Sequence, residues 1–377
     1  MHFWHFRFQY LIEISAHKNV ARLYDLAKKL DPGRIVTCAN LYPMKAQSKL
    51  NQLTDMVGYN IYFGWYYGKM QDYGPYLDRL HDALPDVPLG ISEYGVDADV
   101  RLHSETPLVK DYSEEFQALF HETVYPQIEA RNYLWGSFVW NMFDFSSARR
   151  DEGGQKYINA KGLVTYDRKV KKDAFFYYKA KWSAQPFLHI CEKRFEKRCC
   201  ERLNIKVYTN LPEAVLTRES DGDAKTVTAR NLGNGKIVFS DILLRDGRNT
   251  FKVSGRAKDG THIEDVVTYE RTKYPERSYQ LPENEAGTTV QNWFLNEDGV
   301  NTEQYYSIKD RAEDLLENEA CRRILSSYLP EVTALLEKGV IPMGLALISI
   351  LSRDKEIDKR IDVKAMNLEL MKIVKES

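Results

Sequence analysis

The sequence is short of cysteine, of charge of one sign and of long apolar runs, and each shortage excludes a class of protein. Its five cysteines show no regular spacing, and adjacent Cys199 and Cys200 lack the gap of a zinc or redox motif. Lys and Arg number 53 against 54 Asp and Glu, so no charge excess favours nucleic acid or a membrane surface. The longest apolar run, 340–351, is shorter than the roughly 20 residues of a membrane span.

These absences predict a cytoplasmic protein without metal, nucleic-acid or membrane partners, and its first residues show no secretory signal. Aromatic residues are plentiful at 12% of the chain, including 24 Tyr and 6 Trp. Flat aromatic rings pack in cores or stack on the apolar faces of sugars. A small neutral ligand therefore suits the composition better than a charged polymer.

Strand-like and helix-like segments alternate in the first half of the chain. The predicted strands are 34–39, 56–62, 88–93 and 134–140, and the predicted helices are 20–30, 74–84, 113–130 and 171–182. Such alternation favours parallel strands joined by helical crossovers. Four units of this kind make half of an eight-stranded barrel or part of an open sheet.

The alternation stops after Trp182, which predicts a multi-domain chain of α/β, all-β and α parts. The predicted boundaries are a partial barrel at 1–183, a charged linker at 184–203, a β-sandwich of immunoglobulin-like size at 204–271, a linker at 272–300 and a helical module at 301–377. Short alternating strands with Asp-Gly and Asn-Gly turns indicate the sandwich. Apolar residues at helical spacing after Ser307 indicate the module.

Glu93 ends an apolar, strand-like run, where an uncompensated carboxylate would be costly to bury. Parallel barrels place their reacting groups at such strand ends. Tyr62 ends the preceding strand, one βα unit earlier, so the two side chains should be neighbours. A phenol that donates to the carboxylate would hold it ionised, as a nucleophile requires. The alternative is a buried Tyr-Glu hydrogen bond with no catalytic role.

Other polar and aromatic residues near strand ends are candidates for contact with a sugar. They are Asn60, His103, Trp140, Asn141, Asp144, Asn159 and Lys161. Trp140 could be the platform under a sugar ring or a core residue, and Lys161 could reach a polar or anionic substituent. Asn141 and Asp144 could bind hydroxyl groups or cap a loop, whereas a solvated loop position is favoured for His103.

Four runs of sequence resemble family 2 glycoside hydrolases, most closely the bacterial β-galactosidases. They are Asp-Met-Val-Gly-Tyr-Asn-Ile-Tyr-Phe-Gly-Trp-Tyr from Asp55, Gly-Ile-Ser-Glu-Tyr-Gly from Gly90, Trp-Gly-Ser-Phe-Val-Trp-Asn-Met-Phe-Asp-Phe from Trp135 and Asn-Ala-Lys-Gly-Leu-Val-Thr-Tyr-Asp from Asn159. The resemblance implies a (β/α)8 TIM barrel, a following immunoglobulin-like sandwich and, more weakly, a helical accessory module.

By this resemblance Glu93 is the nucleophile of a retaining mechanism and Tyr62 is its hydrogen-bonding partner. Trp140 is then the sugar platform, with Asn60 and Asn141 as polar neighbours, and no cofactor is implied. Retention needs a second carboxyl group about 5 Å from the first. The family's acid/base Glu follows an Asn, but this sequence has no Asn-Glu pair before its linker, and Glu13 follows an Ile.

The predicted function is therefore retaining hydrolysis of terminal β-D-galactosides, impaired by loss of the acid/base half of the barrel. The first alternative is a β-glucuronidase, in which Asn159 and Lys161 bind the uronate carboxylate. An alternative of another class is a carbohydrate-binding or assembly module without catalysis. A half-barrel leaves sheet edges open, which predicts low stability alone and a homo-oligomer or a missing N-terminal half as partner.

Overall fold

The computed structural model describes residues 12–42, 44–218, 226–281, 305–308, 310–341, 345–351 and 360–375. Internal contacts divide the chain into two compact units. The first unit contains Met1–Tyr94, Arg131–Phe138 and Gly287–Ser377, and the second contains Gly95–Ala130 and Val139–Ala286. Within the described ranges, no helix is both long and apolar enough to cross a membrane.

The first unit is built on a four-stranded sheet whose strands lie in chain order. The strands are β1 Thr37–Leu41, β2 Met56–Asn60, β3 Leu89–Tyr94 and β4 Leu134–Val139. Parallel pairing joins β1 to β2 and β2 to β3. The inner strands are apolar because they are covered, and Val57, Tyr59 and Ile91 are fully buried. Chain-order parallel pairing is the arrangement of consecutive strands in a TIM barrel.

Two helices of the first unit flank these strands in the sequence. Helix α1, Ile12–Leu30, precedes β1, and helix α2, Tyr73–Ala83, connects β2 to β3. Helix α1 begins earlier than the predicted residue 20. Glu13 therefore lies in the first turn of a helix rather than at the end of a strand.

The second unit combines helices with three β-sheets. Its helices are α3 Glu114–Glu129 and α4 Asp173–Trp182, and a two-stranded sheet pairs β5 Phe145–Glu152 with β6 Gln155–Asn159. The remaining strands are β7 Leu188–Ile190, β8 Lys197–Arg198, β9 Arg202–Thr209, β10 Glu213–Arg218, β11 Thr226–Arg230, β12 Lys236–Leu243, β13 Gly247–Arg256 and β14 His262–Arg271.

These eight strands form a five-stranded sheet in the order β11-β10-β13-β14-β8 and a three-stranded sheet in the order β12-β9-β7. Both sheets contribute to one core, which includes Ile205, Ile237, Phe251 and Val267. Burying alternate side chains of two facing sheets is the general architecture of a sandwich. The immunoglobulin-like assignment itself stays a prediction.

The segment 184–203, predicted as a linker, is structured. It contains β7 and β8, and Leu188 and Ile190 are buried in the sandwich core. Its charge was misleading because the guanidinium of Arg198 stacks on Phe195 at 3.6 Å and pairs with Glu192 at 2.7 Å. Most of the second predicted linker, 272–300, lies outside the described residues.

Among the described residues after 305, five short helices share one apolar core. They are α5 Ala312–Glu317, α6 Glu319–Tyr328, α7 Pro330–Glu337, α8 Leu347–Leu351 and α9 Val363–Leu370. Leu315, Leu325, Leu336 and Met366 are fully buried in that core. Asn318 caps α6 by accepting from the backbone of Ala320 and Cys321.

Candidate active site

The carboxyl ends of β2 and β3 bring Tyr62 and Glu93 together in the first unit. The Tyr62 hydroxyl donates a hydrogen bond to Oε2 of Glu93 at 2.6 Å. Burial, followed by the charge of Glu93, raises the pKa of Tyr62 well above its usual value. The phenol therefore stays protonated and donates to Glu93, a residue that is half-buried as a whole.

The turn after Tyr62 is held by a hydrogen bond to the backbone of that residue. The Tyr62 backbone N–H donates to the hydroxyl of Tyr67 at 2.9 Å. Gly64 adopts φ +76°, and a Cβ there would lie 2.6 Å from Cγ of Met70. Only glycine fits at position 64, because any larger residue would place its Cβ against Met70. Asn60, the other predicted residue of this unit, is buried. Its side-chain oxygen accepts a hydrogen bond from the Ser92 hydroxyl at 2.7 Å.

The remaining predicted residues lie in the second unit, where Lys161 belongs to a buried cluster of charges. Its ammonium donates to Oδ2 of Asp97. Arg150 donates to both oxygens of Asp97 at 3.1 and 3.0 Å and to Glu152 at 3.1 Å. Lys110 lies 3.9 Å from Glu152. Sequence reasoning found only Lys161 among these five residues.

Opposite effects act on the ionisation of this cluster. Burial alone would raise the pKa of Asp97, but Arg150 and Lys161 outweigh it and hold the pKa well below its usual value. Burial, then Arg150, lowers the pKa of Lys161 to about 8, against the attraction of Asp97. Asn159 is buried, and its side-chain oxygen accepts from the backbone N–H of Lys161 at 3.1 Å. Asn159 thereby fixes the backbone that carries the lysine.

One carboxylate oxygen of Asp144 accepts two hydrogen bonds within its own unit. Its Oδ1 accepts from the Lys172 ammonium at 2.9 Å and from the Gly162 N–H at 2.8 Å. Lys172 is completely buried and also donates to the carbonyls of Ala98 and Ala160. Asp144 is thus a partner of a buried lysine, and its role as a sugar ligand stays a prediction.

Trp140 and Asn141 follow β4 and are both half-buried. The Trp140 ring meets Phe145 edge-on, with centroids 5.7 Å apart. The Asn141 backbone N–H donates to the carbonyl of Lys161 at 3.0 Å, and its side chain accepts from Met142. Neither contact covers the whole side chain, so a role for both in sugar binding stays a prediction.

His103 is buried rather than solvated. It is 4% exposed, its ring stacks on Phe195 at 5.2 Å, and its Nδ1 lies 2.8 Å from Oε1 of Glu115. Burial raises the pKa of Glu115 to about 7. The expectation of an exposed loop histidine is wrong because the loop is covered by aromatic residues distant in the sequence, including Tyr279.

Among the described residues, no group of three or more His, Cys, Asp or Glu side chains is arranged to hold a metal ion. All five cysteines are free thiols.

Comparison with known proteins places this geometry in a family. Residues 12–186 match the model for the TIM barrel domain of the glycosyl hydrolases family 2. The chain therefore belongs, through this segment, to glycosyl hydrolase family 2, as its motifs predict.

Individual relatives agree with the family. The chain is 36% identical over 263 residues to a β-glucuronidase of Bacteroides fragilis, covering 67% of this chain and 36% of the relative. A solved FMN-binding β-glucuronidase from Faecalibacterium prausnitzii L2-6 is 40% identical with a TM-score of 0.64, covering 71% and 40%. A putative β-galactosidase structure from Bacteroides fragilis is 32% identical with a TM-score of 0.64, covering 69% and 39%. The chain thus spans well under half the length of these relatives.

Proposed function

We propose that this chain carries the nucleophile half of a retaining glycosidase that acts on β-D-glucuronides. Glu93 attacks the anomeric carbon to form a glycosyl-enzyme, which water then hydrolyses. The observation that carries the proposal is the 2.6 Å hydrogen bond from Tyr62 to Glu93 at adjoining strand ends of a family 2 barrel segment.

The hydrogen bond suits a nucleophile because the reacting carboxylate must be ionised and held in one orientation. Because its pKa is raised, the Tyr62 hydroxyl keeps its proton and donates it in a hydrogen bond, which stabilises the charged form of Glu93. The phenol occupies one carboxylate oxygen, Oε2.

The preference for glucuronides over galactosides rests on the relatives and on the buried charges. Several similar proteins bear the name β-glucuronidase, which supports the first alternative better than the β-galactosidase prediction. The cluster formed by Asp97, Lys110, Arg150, Glu152 and Lys161 holds three positive and two negative side chains. An excess of one positive charge in a buried setting favours a ligand with a carboxylate.

In this proposal Lys161 contacts the uronate carboxylate and Asn159 acts by holding the backbone of Lys161. Asp97 and Arg150 position the ammonium group. A neutral galactoside offers no carboxylate to this cluster, so it gains no charge attraction from the Lys161 ammonium.

The test compares turnover of an activated aryl β-glucuronide and the matching aryl β-galactoside by the purified chain. An activated leaving group needs little help from an acid, so it reports on the nucleophile half alone. We expect glucuronide turnover that Glu93→Gln abolishes, and a preference for glucuronide that Lys161→Met removes.

Lys169→Met is the matched control, because Lys169 is 80% exposed in the same part of the chain. A higher rate on galactoside, or an unchanged preference in Lys161→Met, would contradict the proposed specificity. Sugar binding without turnover, insensitive to Glu93→Gln, would support the carbohydrate-binding module instead.

A further inference from the structure

Two adjacent cysteines, Cys199 and Cys200, lie in the second unit on the short link between β8 and β9. Cys199 is exposed, Cys200 is half-buried, and both are free thiols. Their spacing is not that of a zinc or redox motif, and the proposed glycosidase reaction does not use them. They are therefore a reactive pair without an assigned role.

Both thiols reach one carboxylate, that of Glu105. The Sγ of Cys199 lies 3.9 Å from Oε1 of Glu105, and the Cys200 thiol is also hydrogen-bonded to Glu105. Consecutive side chains of an extended chain point to opposite sides. Two sulfur atoms that meet at a single carboxylate lie on the same side of the backbone instead, so this pair is already brought together.

Glu105 also keeps the two thiols protonated. Burial, followed by the charge of Glu105, raises the pKa of Cys199. Burial, followed by the hydrogen bond to Glu105, raises the pKa of Cys200 to about 11. Disulfides and alkylating agents react with the thiolate, and metal ions bind it, so the raised pKa values disfavour all three at neutral pH.

The backbone on each side of the pair is held by hydrogen bonds. The carbonyl of Arg198 accepts from the Thr272 N–H at 2.8 Å, and the carbonyl of Glu201 accepts from the Leu244 N–H at 2.8 Å. Adjacent Cα atoms are about 3.8 Å apart, below the roughly 4.4–6.8 Å of ordinary disulfides. A direct S–S bond would distort this backbone, whereas an atom bound between the two sulfurs removes the need for such a close approach.

We propose that Cys199 and Cys200 form a binding site for a trivalent organoarsenical, with Glu105 as the residue that holds the two thiols together. Arsenic(III) with one organic substituent and two hydroxyl groups exchanges both hydroxyl groups for sulfur. Each exchange breaks one As–O and one S–H bond, and it forms one As–S bond and the O–H bond of the water that leaves. Arsenic keeps its oxidation state. No proton is released at equilibrium, so thiols with raised pKa values are suitable partners.

The test titrates the reduced full chain with phenylarsine oxide and locates the adduct by intact-mass and peptide mass spectrometry. We expect one phenylarsenic group per chain, bound to both Cys199 and Cys200. Because the second As–S bond is intramolecular, 2,3-dimercaptopropanol should remove the group at a thiol concentration at which glutathione does not. The proposal does not depend on the proposed glycosidase activity, and the test involves no turnover.

Cys199→Ser leaves one thiol at the site and should weaken binding about a hundredfold or more. Cys38→Ser is the matched control, because it removes a half-buried single cysteine of the first unit, and it should leave binding unchanged. Circular dichroism checks that each variant keeps the fold.

Glu105→Ala removes the shared acceptor and its charge. Alkylation of Cys199 by iodoacetamide at pH 8 should then become about threefold faster or more, because a larger fraction is thiolate. The affinity for phenylarsine oxide should fall about threefold or more, because the two thiols are no longer held together. Glu196→Ala, at an exposed glutamate in the segment before Cys199, should change neither quantity.

Three results would overturn the proposal. One is an adduct on Cys38, Cys191 or Cys321 in place of the pair. Another is equal affinity of Cys199→Ser and the wild-type chain. The third is a folded Glu105→Ala variant in which both the alkylation rate and the arsenical affinity are unchanged.

Discussion

The Tyr62 hydroxyl and Glu93 Oε2 are 2.6 Å apart although 31 residues separate them in the chain. The contact could be predicted because both residues end neighbouring parallel strands, and such ends meet at one edge of the sheet. The partners of Lys161 could not, since Asp97 lies 64 residues away and no local pattern marks it. The contacts of a residue can therefore be predicted where the register of a sheet determines them. They cannot be predicted from the sequence where loops bring the partners together.

Replacing Tyr62 by Phe removes the donor and keeps the ring. A hydrogen bond to a charged group contributes about 1.5–3 kcal/mol, so kcat/KM for an aryl glucuronide should fall roughly tenfold to a hundredfold. Steady-state kinetics measures the change, and Tyr274→Phe, at a side chain 70% exposed, is the control. Equal activity of Tyr62→Phe and wild type would contradict the role given to the phenol.

The Lys161 pKa of about 8 predicts how glucuronide binding depends on pH. A uronate should bind the protonated ammonium, so KM for glucuronide should rise as the pH increases through about 8 and be level below it. KM for galactoside should not follow this profile. Parallel profiles for the two substrates would exclude Lys161 as the discriminating contact.

Loss of the fold would not explain that rise. An unfolded lysine has a pKa of about 10.4, so the folded chain is the form that releases this proton more readily. Between a pH of about 8 and about 10.4, the folded chain has released the Lys161 proton but the unfolded chain still binds it. The free energy of unfolding therefore increases with pH across that window. Thermal unfolding at each pH checks the point.

At the scale of elements, the loop after β3 depends on a glycine. Gly95 has φ +155°, and a Cβ there would lie 2.2 Å from the carbonyl oxygen of Trp140. Gly95→Ala should therefore lower the free energy of unfolding by about 2–4 kcal/mol, because the backbone must move. Gly136→Ala in β4, where a Cβ meets nothing within 4 Å, should be tolerated in the same denaturant titration.

Lys172, immediately before α4, connects three segments through Asp144 and the carbonyls of Ala98 and Ala160. Lys172→Met would leave the Asp144 carboxylate buried without its cation, which typically costs about 3–5 kcal/mol. Urea unfolding measures the loss, with Lys169→Met as the exposed control. An unchanged midpoint would show that Asp144 finds another partner.

The strands and helices of the barrel segment were predicted to within a few residues, except for the start of α1. Apolar runs and helical spacing are local signals, and they are strong where an element is buried. The charge density of 184–203 predicts a linker, and this prediction is wrong. Arg198 in that segment is 4% exposed and paired with Glu192. Charge pairing across a fold leaves no periodic signal.

At the scale of the whole molecule, the chain contains a segment of a family 2 barrel, two β-sheets that share one core and a group of helices. The family could be predicted because four separated motifs occur in order. The preferred sugar could not be predicted. A glucuronide differs from a galactoside by one carboxylate, and in our proposal a cluster assembled from loops and strands recognises that group. The relatives therefore shift the prediction from galactoside to glucuronide.

The most direct test of the central claim is covalent trapping with 2-deoxy-2-fluoro-β-D-glucuronyl fluoride, whose leaving group needs little acid help. The chain is incubated with the reagent and mapped by peptide mass spectrometry. We predict a glucuronyl adduct on Glu93, absent in Glu93→Gln and formed more slowly from the galactosyl analogue. No adduct on Glu93, or faster labelling by the galactosyl analogue, would contradict the account.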